Sequence, residues 1–235
     1  MSIAIIPARG GSRRIPNKNI KVFAPTGRTM LAMAVSTARS AGIFDQIYVS
    51  SDDEATLKIA LGAGAVPLPR SAELGQDDVG TQQVVQSAIT LIEELNGQNL
   101  VASHVCCIYP CTPLLRPVDI ATGYRMFTYA GKPFLVAAGL YPSPIHQALE
   151  VTANSMRLVM PQFEGWPSIK FPERYFDAGQ FYWGTAEAFR SGLNLYSNAA
   201  PYILQRHCAI DINTLEDWWL AELIYRGLEA AKNVE

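Results

Sequence analysis

Short apolar runs alternate along most of the chain with stretches of helical periodicity. The first run, Ile3, Ala4, Ile5 and Ile6, stops at Pro7 and is too short for a helix, so it predicts a buried strand. Met30 to Gly42 places apolar residues at helical spacing and closes on a glycine suited to a C-cap. Gln46 to Ser50 predicts a second strand, with Ser51 to Glu54 able to cap a helix from Ala55 to Gly62. Val66 to Pro69 reads as a short strand and Thr81 to Leu95 as a helix. His104 to Tyr109 is almost continuously apolar, as a strand buried on both faces must be. A helix from Val118 to Ala130 and a strand from Phe134 to Leu140 follow. Strand and helix in this rhythm predict right-handed parallel crossovers. The expected class is therefore α/β, with a doubly wound, mostly parallel sheet and ligands at the carboxyl ends of its strands.

The rhythm breaks between Tyr141 and Asp177. That stretch holds five prolines, several aromatics and one short alternating segment, Met156 to Met160. Such irregular length predicts a functional or interfacial arm at about 141–177. Asp177 to Gly184, D-A-G-Q-F-Y-W-G, returns the chain to the sheet and sets Gln180 and Tyr182 on one face, Phe181 and Trp183 on the other. Tyr202 to Gln205 and Cys208 to Ile212 read as two short strands, and Leu215 to Ala231 as a long amphipathic helix. Residues 1–235 are thus expected to form one domain carrying one arm.

Composition narrows the function classes. A net charge of −2 provides no general attraction for nucleic acid or an anionic membrane surface. With no run of about 18 apolar residues and no signal-peptide pattern, a cytoplasmic protein is expected. Cys106, Cys107, Cys111 and Cys208 lack zinc-site spacing and read as small core residues. His104, His146 and His207 form no cluster, and no Ser–His–Asp grouping is evident.

Against that neutral background the loop after the first strand stands out. Ala8 and Arg9 lead into Gly10-Gly11-Ser12, followed by Arg13, Arg14, Lys18 and Lys21. Glycines allow close backbone approach, and successive N–H groups form an anion-binding nest. The added cations suit a ligand with several negative charges, so a nucleoside triphosphate is the first to expect. The loop has neither G-x-x-x-x-G-K-[ST] nor G-x-G-x-x-G spacing. Far along the chain, Asp211 and Asn213 alternate onto one side of an extended segment, a spacing at which two oxygens can share a cation.

The string I-P-A-R-G-G-S-R-R-I-P-N-K-N-I resembles the signature of the sugar-acid cytidylyltransferases, which join CMP to sialic, pseudaminic and related nonulosonic acids. Arg13 stands where the family usually has lysine. The likeness continues through Arg70-Ser71-Ala72-Glu73-Leu74, Tyr109 with the following P-C-T-P-L, D-A-G-Q-F-Y-W-G, and D-I-N-T-L-E-D from Asp211, and it spans nearly the whole chain. It implies a Rossmann-like nucleotide-diphospho-sugar transferase fold in which Arg9, Ser12, Arg13 and Lys18, with the loop amides from Ala8 to Gly11, hold the β- and γ-phosphates of CTP. Arg70, Val79 and Thr81 would read the cytosine, and Tyr109, Gln180 and Tyr182 would contact the sugar. The family's two aspartates hold the catalytic Mg²⁺ (or Mn²⁺), a role that falls here on Asp211 and Asn213, the second having lost a charge. Arg9, Arg13, Lys18 and Asp211 form the implied catalytic set, and the arm implies a homodimer. Tyr109 and D-A-G-Q-F-Y-W-G are most similar to the pseudaminic acid branch. A sialic or legionaminic acid substrate, or a non-catalytic relative marked by Asn213, are the alternatives.

Overall fold

The structure, a computed structural model, describes residues 1–76, 78–97 and 99–232. In chain order, β1 (Ser2–Pro7) leads through a small hairpin of β2 (Val22–Phe23) and β3 (Arg28–Thr29) to α1 (Met30–Ser40), β4 (Gln46–Ser51), α2 (Glu54–Gly62) and β5 (Val66–Pro69). Then come α3 (Thr81–Asn96), β6 (His104–Ile108), α4 (Pro117–Ala130) and β7 (Phe134–Leu140). The arm contributes β8 (Leu149–Thr152) and β9 (Ser155–Leu158), after which β10 (Tyr175–Thr185), α5 (Ala186–Arg190), β11 (Ala199–Ile203) and α6 (Leu215–Lys232) finish the described chain.

Seven strands make one sheet in the order β11-β7-β10-β6-β1-β4-β5. From β1 the chain winds outward through β4 and β5, then crosses to the opposite side of β1 as β6, and all these pairings are parallel. That reversal of direction opens a crevice at the carboxyl ends of β1 and β6, where open α/β sheets bind ligands. Between β6 and β7 lies β10, antiparallel to both.

The apolar pattern dictates the layers. Ala4, Ile6 and Ala8 pack with residues of α1, α2 and α4, whereas Ile3 and Ile5 pack with α3 and α5. Because alternate residues of β1 face opposite helical layers, every position from Ile3 to Ile6 must be apolar. Local signals fix the helix starts: Thr29 accepts from the Ala32 amide and Asp53 from the Thr56 amide. Pro117 occupies the first turn of α4 behind Arg116, which donates to Asp119. A third cluster, with Ile15, Phe23, Met30, Ile212 and Trp218, fastens the first loop to α6. No helix among the described residues is long and apolar enough to cross a membrane.

Two expectations are corrected. The strand near 202 begins earlier, at Ala199, because it pairs along β7 from Phe134 onward. The segment Cys208 to Ile212 is not a strand: Cys208 and Ala209 pack into the central core and Ile212 into the cluster beneath α6, so its apolar character reflects burial without a ladder. The arm holds a hairpin, β8 with β9, of which the alternating pattern exposed only the second strand.

Trp183 anchors the helical layer over β10. Its ring stacks on Phe44 and Phe127, and its Nε1 donates to the Ile120 carbonyl. Trp183→Ala should cost about 3–5 kcal/mol of unfolding free energy, measured by urea denaturation.

Candidate active site

The glycine-rich loop leaves β1 under close constraint. The Ala8 amide still bonds to the Ser50 carbonyl at 2.9 Å, so the first residue past β1 stays tied to β4. The Gly10 amide then donates to Asp52 Oδ1 at 3.2 Å. A Cβ at Gly10 would lie 2.6 Å from that of Asp53, so only glycine fits there. Beyond it, Ile15 is fully buried, Asn17 turns the chain at φ 55°, and the Asn19 side chain donates to the Arg9 carbonyl at 2.8 Å. Asn19 also accepts from the Cys111 thiol, whose pKa burial pushes up to about 12, so this sulfur serves as a neutral donor. These anchors hold the loop open at the mouth of the sheet.

A cavity of about 810 Å³ occupies that mouth. Arg9, Ser12, Arg13, Arg14 and Lys18 line its first-loop side; Arg70, Val79 and Thr81 line a second side. Tyr109, Asp177, Tyr182, Asp211 and Asn213 complete it. Most of the residues singled out from the sequence therefore converge, although they come from positions up to 204 apart by numbering, from Arg9 to Asn213. Ala8, Gly10, Gly11 and Gln180 are not among the lining residues: Ala8 is buried behind the loop, and Gln180 is held inward.

Arg70 carries the most informative polar atoms. Its amide bonds to the Ser51 carbonyl, and Nη2 reaches Asp52 Oδ1 at 3.5 Å. Nε and Nη1 are buried and have no partner among the described residues. Burial lowers the pKa of this guanidinium, with Asp52 acting against the shift. Buried donors without acceptors are costly, and these belong to a residue facing the cavity. The donor set suits a planar ligand edge rich in acceptors.

Across the cavity, hydroxyls form a chain. Thr81 Oγ1 and Tyr109 Oη lie 2.6 Å apart, and Tyr109 Oη is 3.4 Å from Tyr182 Oη. Tyr182 donates to Asp177 Oδ2, Tyr196 donates to the same oxygen at 2.7 Å, and the Gly179 amide donates to Oδ1 at 3.0 Å. Burial raises the pKa of Tyr109 and of Tyr182, so both phenols stay protonated and serve as neutral hydrogen-bonding groups.

The corner at Asp211 is also assembled from distant parts. Asn213 Nδ2 donates to Asp211 Oδ2 at 2.6 Å, and Lys18 Nζ donates to the Ile212 carbonyl between them at 2.6 Å. Gln180 Nε2 holds the Ile210 carbonyl at 2.9 Å and the Ala178 carbonyl at 3.1 Å. Gly179, at φ 58°, leaves room for Asp211; a Cβ there would lie 3.3 Å from its carboxyl. Asp217 accepts from the Asn213 and Thr214 amides, and Thr214 Oγ1 accepts from the Asp217 amide, a reciprocal cap at the start of α6. Among the described residues no group of three or more His, Cys, Asp or Glu side chains is arranged to hold a metal. His104 lies against Tyr124 and Phe127, and His146 stacks on Phe171, so neither enters the cavity.

Asp177 was not among the expected site residues. Strict alternation puts it with Phe181 and Trp183, on the face opposite Tyr182. The register shift between Asp177 and Tyr182, with left-handed Gly179 between them, brings it round to the Tyr182 hydroxyl. The glycine inside the strand was the available signal, because an interior glycine often marks a bulge.

Sheet order, crevice and loop define a doubly wound α/β fold with a cation-lined cleft where the strand order reverses. The fold aligns with the structure of CMP:2-keto-3-deoxy-manno-octonic acid synthetase complexed with CTP, at TM-score 0.67 and 12% identity over 96% of this chain and 98% of that one. Residues 3–135 match the family described as Cytidylyltransferase. The pseudaminic acid cytidylyltransferase of Campylobacter jejuni subsp. jejuni serotype O:2 is 35% identical over 228 residues, 96% of each chain. The CMP-N,N'-diacetyllegionaminic acid synthase of Legionella pneumophila is 27% identical over 94% of each. The chain belongs to the cytidylyltransferase family, and it is a CTP-using nucleotidyltransferase.

Arg70→Met should remove two buried nitrogens that lack acceptors while giving up the long contact to Asp52, and so change the ligand-free melting temperature by no more than a few degrees. The same variant should lose at least about tenfold in CTP affinity. Thermal melts with and without CTP check both halves.

Proposed function

We propose that the chain transfers CMP from CTP to the anomeric hydroxyl of pseudaminic acid and releases pyrophosphate. The observation that carries this reading is the 35% identity, over 96% of both chains, to a pseudaminic acid cytidylyltransferase. The cavity supports it, because cations, buried base-facing donors and an acidic corner meet in one space of about 810 Å³.

In this reading Arg9, Ser12, Arg13 and Lys18, with the amides of the glycine loop, hold the β- and γ-phosphates. Arg70 reads acceptor atoms of the cytosine, with the Val79 backbone and the Thr81 hydroxyl beside it. Tyr109 and Tyr182 face the sugar. Gln180, buried and bonded to the Ile210 carbonyl, acts as a positioning residue for Asp211. The anomeric oxygen bonds to the α-phosphorus while the bond to the bridging oxygen of pyrophosphate breaks, and the hydroxyl proton passes to water. Positioning and charge neutralisation carry such a reaction, so a covalent enzyme group is not required.

The corner fits Mg²⁺ or Mn²⁺ in the chemistry of its donors. Asp211 offers a carboxylate, and Asn213 can turn its amide oxygen to the same space, since which end of the amide faces Asp211 is set only by the hydrogen bond. These are hard oxygen ligands, and a cation held by one or two of them takes its remaining positions from phosphates and water. When bound, the ion would supply neutralisation of the phosphate charge and a lowered pKa for the attacking hydroxyl. The enzyme would act in the cytoplasm as a homodimer. Support for the dimer is the apolar exposure of the arm, where Val151 is 71% and Ile169 91% exposed.

Pyrophosphate release from CTP and Mg²⁺ should appear with pseudaminic acid and be weaker with sialic and legionaminic acids. Silence with every sugar acid, alongside retained CTP binding, would overturn the assignment. Asp211→Ala should abolish turnover, and Asn213→Asp should keep or raise it while lowering the Mg²⁺ concentration needed for half activity. For the arm, Val151→Asp combined with Ile169→Asp should yield a monomer by light scattering.

A further inference from the structure

The hydroxyl chain across the cavity runs from Thr81 through Tyr109 and Tyr182 to Asp177, and the fold holds it at each step. Tyr182 is buried in β10, and its ring meets that of Tyr109 edge to face with centroids 5.6 Å apart. The Tyr109 amide bonds to the Gln180 carbonyl of β10 at 2.9 Å, and the Tyr109 carbonyl accepts from Thr112 Oγ1 at 3.0 Å. Thr81 opens α3, which places its hydroxyl against Tyr109 at 2.6 Å.

Counting protons gives the chain a direction. Each hydroxyl has a single proton to donate and lone pairs to accept with, whereas a carboxylate only accepts. Tyr182 spends its proton on Asp177 Oδ2, so it can meet Tyr109 only as an acceptor. Tyr109 therefore donates across the long 3.4 Å link to Tyr182, and its oxygen takes the proton of Thr81. The opposite sense would set lone pairs of two half-enclosed phenols against each other and leave them unmet. Because burial raises the pKa of both phenols, neither loses its proton near neutral pH and the count holds.

At the open end of the chain, Thr81 Oγ1 has no proton left and presents a lone pair to the cavity that Thr81 lines. Arg70, on the same side, presents donors without acceptors. Cytosine matches that pattern, with an amine donor at C4 beside an acceptor at N3. Uracil reverses both, with a carbonyl at C4 beside an N–H.

We infer that Tyr109 and Tyr182 are positioning residues for the choice of base: the proton order that Asp177 imposes on them makes Thr81 Oγ1 an acceptor, which admits an exocyclic amine and rejects a carbonyl. This rests on the reading that places the base of the nucleotide beside Arg70 and Thr81. It adds that Tyr182, separated from Thr81 by another hydroxyl, decides which base is bound.

The test measures CTP and UTP binding to the full chain by calorimetry, without a sugar acid, so that any role of the tyrosines toward the sugar does not enter. The unaltered protein should bind CTP at least about tenfold more tightly than UTP, the size expected for one mismatched buried hydrogen bond. Tyr109→Phe frees the Thr81 proton, and Tyr182→Phe frees the Tyr109 proton to point at Thr81. Each variant should therefore bind UTP more tightly than the unaltered protein does and shrink the preference to about twofold or less. A structural loss would weaken both nucleotides and leave their ratio unchanged, and that result, in both variants, would overturn the inference. An effect of Tyr109→Phe with none of Tyr182→Phe would also overturn it, because the chain would then run in the opposite sense. Thr81→Val tests the reading beneath: if the ratio survives the loss of this hydroxyl, the base does not lie beside Thr81, and both the reading and the inference fail.

Discussion

One hydrogen bond joins the beginning of the chain to its end. Lys18 Nζ donates to the Ile212 carbonyl, 194 residues away, and so ties the cationic loop to the acidic corner. Without that closure the two charged halves of the cleft would lie on separate segments, each free to move. The bond is backed by packing: Ile15 and Phe23 from the first loop share a cluster with Ile212 and Trp218, and Lys21 lies over the Trp218 ring. Its length in sequence is also its cost, because the loop closed between such distant residues must be stabilised by the whole sheet in between. The site therefore depends on the sheet being complete.

That dependence explains why the central strands are so uniformly apolar. β1 is covered on both faces and flanked by β4 and β6, so a polar residue among Ile3 to Ile6 would find neither water nor a ladder partner for its side chain. The strand ends, in contrast, carry nearly all the chemistry. Pro7 opens into the cationic loop, Ser51 into Asp52 and Asp53, and Ile108 into Tyr109. Asp52 touches both the Gly10 amide and Arg70, and so holds the glycine-rich loop in register with the loop at Arg70.

Much of the fold was legible because local and global signals agree. Strand lengths, helix starts at Thr29 and Asp53, and the left-handed glycines at Gly42 and Gly131 all follow from residue chemistry that acts within a few positions. The cations of the first loop, from Arg9 to Lys18, could be anticipated for the same reason, whereas Arg70, Val79 and Thr81 were reached only through the family resemblance. What escaped the sequence depends on tertiary contact. That β10 runs antiparallel between β6 and β7 is not written in D-A-G-Q-F-Y-W-G, and neither is the turn at Gly179 that moves Asp177 to the face of Tyr182. Gln180 divides its chemistry: its Nε2 holds the Ala178 and Ile210 carbonyls, while its buried Oε1 has no partner among the described residues. The apolar run from Cys208 to Ile212 is ambiguous in the same way, since burial alone does not specify a ladder.

The unpartnered donors of Arg70 have a consequence for the life of the protein. The guanidinium is desolvated and three of its five N–H donors, those on Nε and Nη1, have no partner among the described residues, a cost that an acceptor bound in the cleft would relieve. Any ligand that binds the folded chain alone adds to its stability, by about 2.7 kcal/mol at a hundredfold excess over its dissociation constant. A nucleotide bound there would be a folding partner as well as a reactant, and a fall in its supply would raise the fraction of unfolded chains.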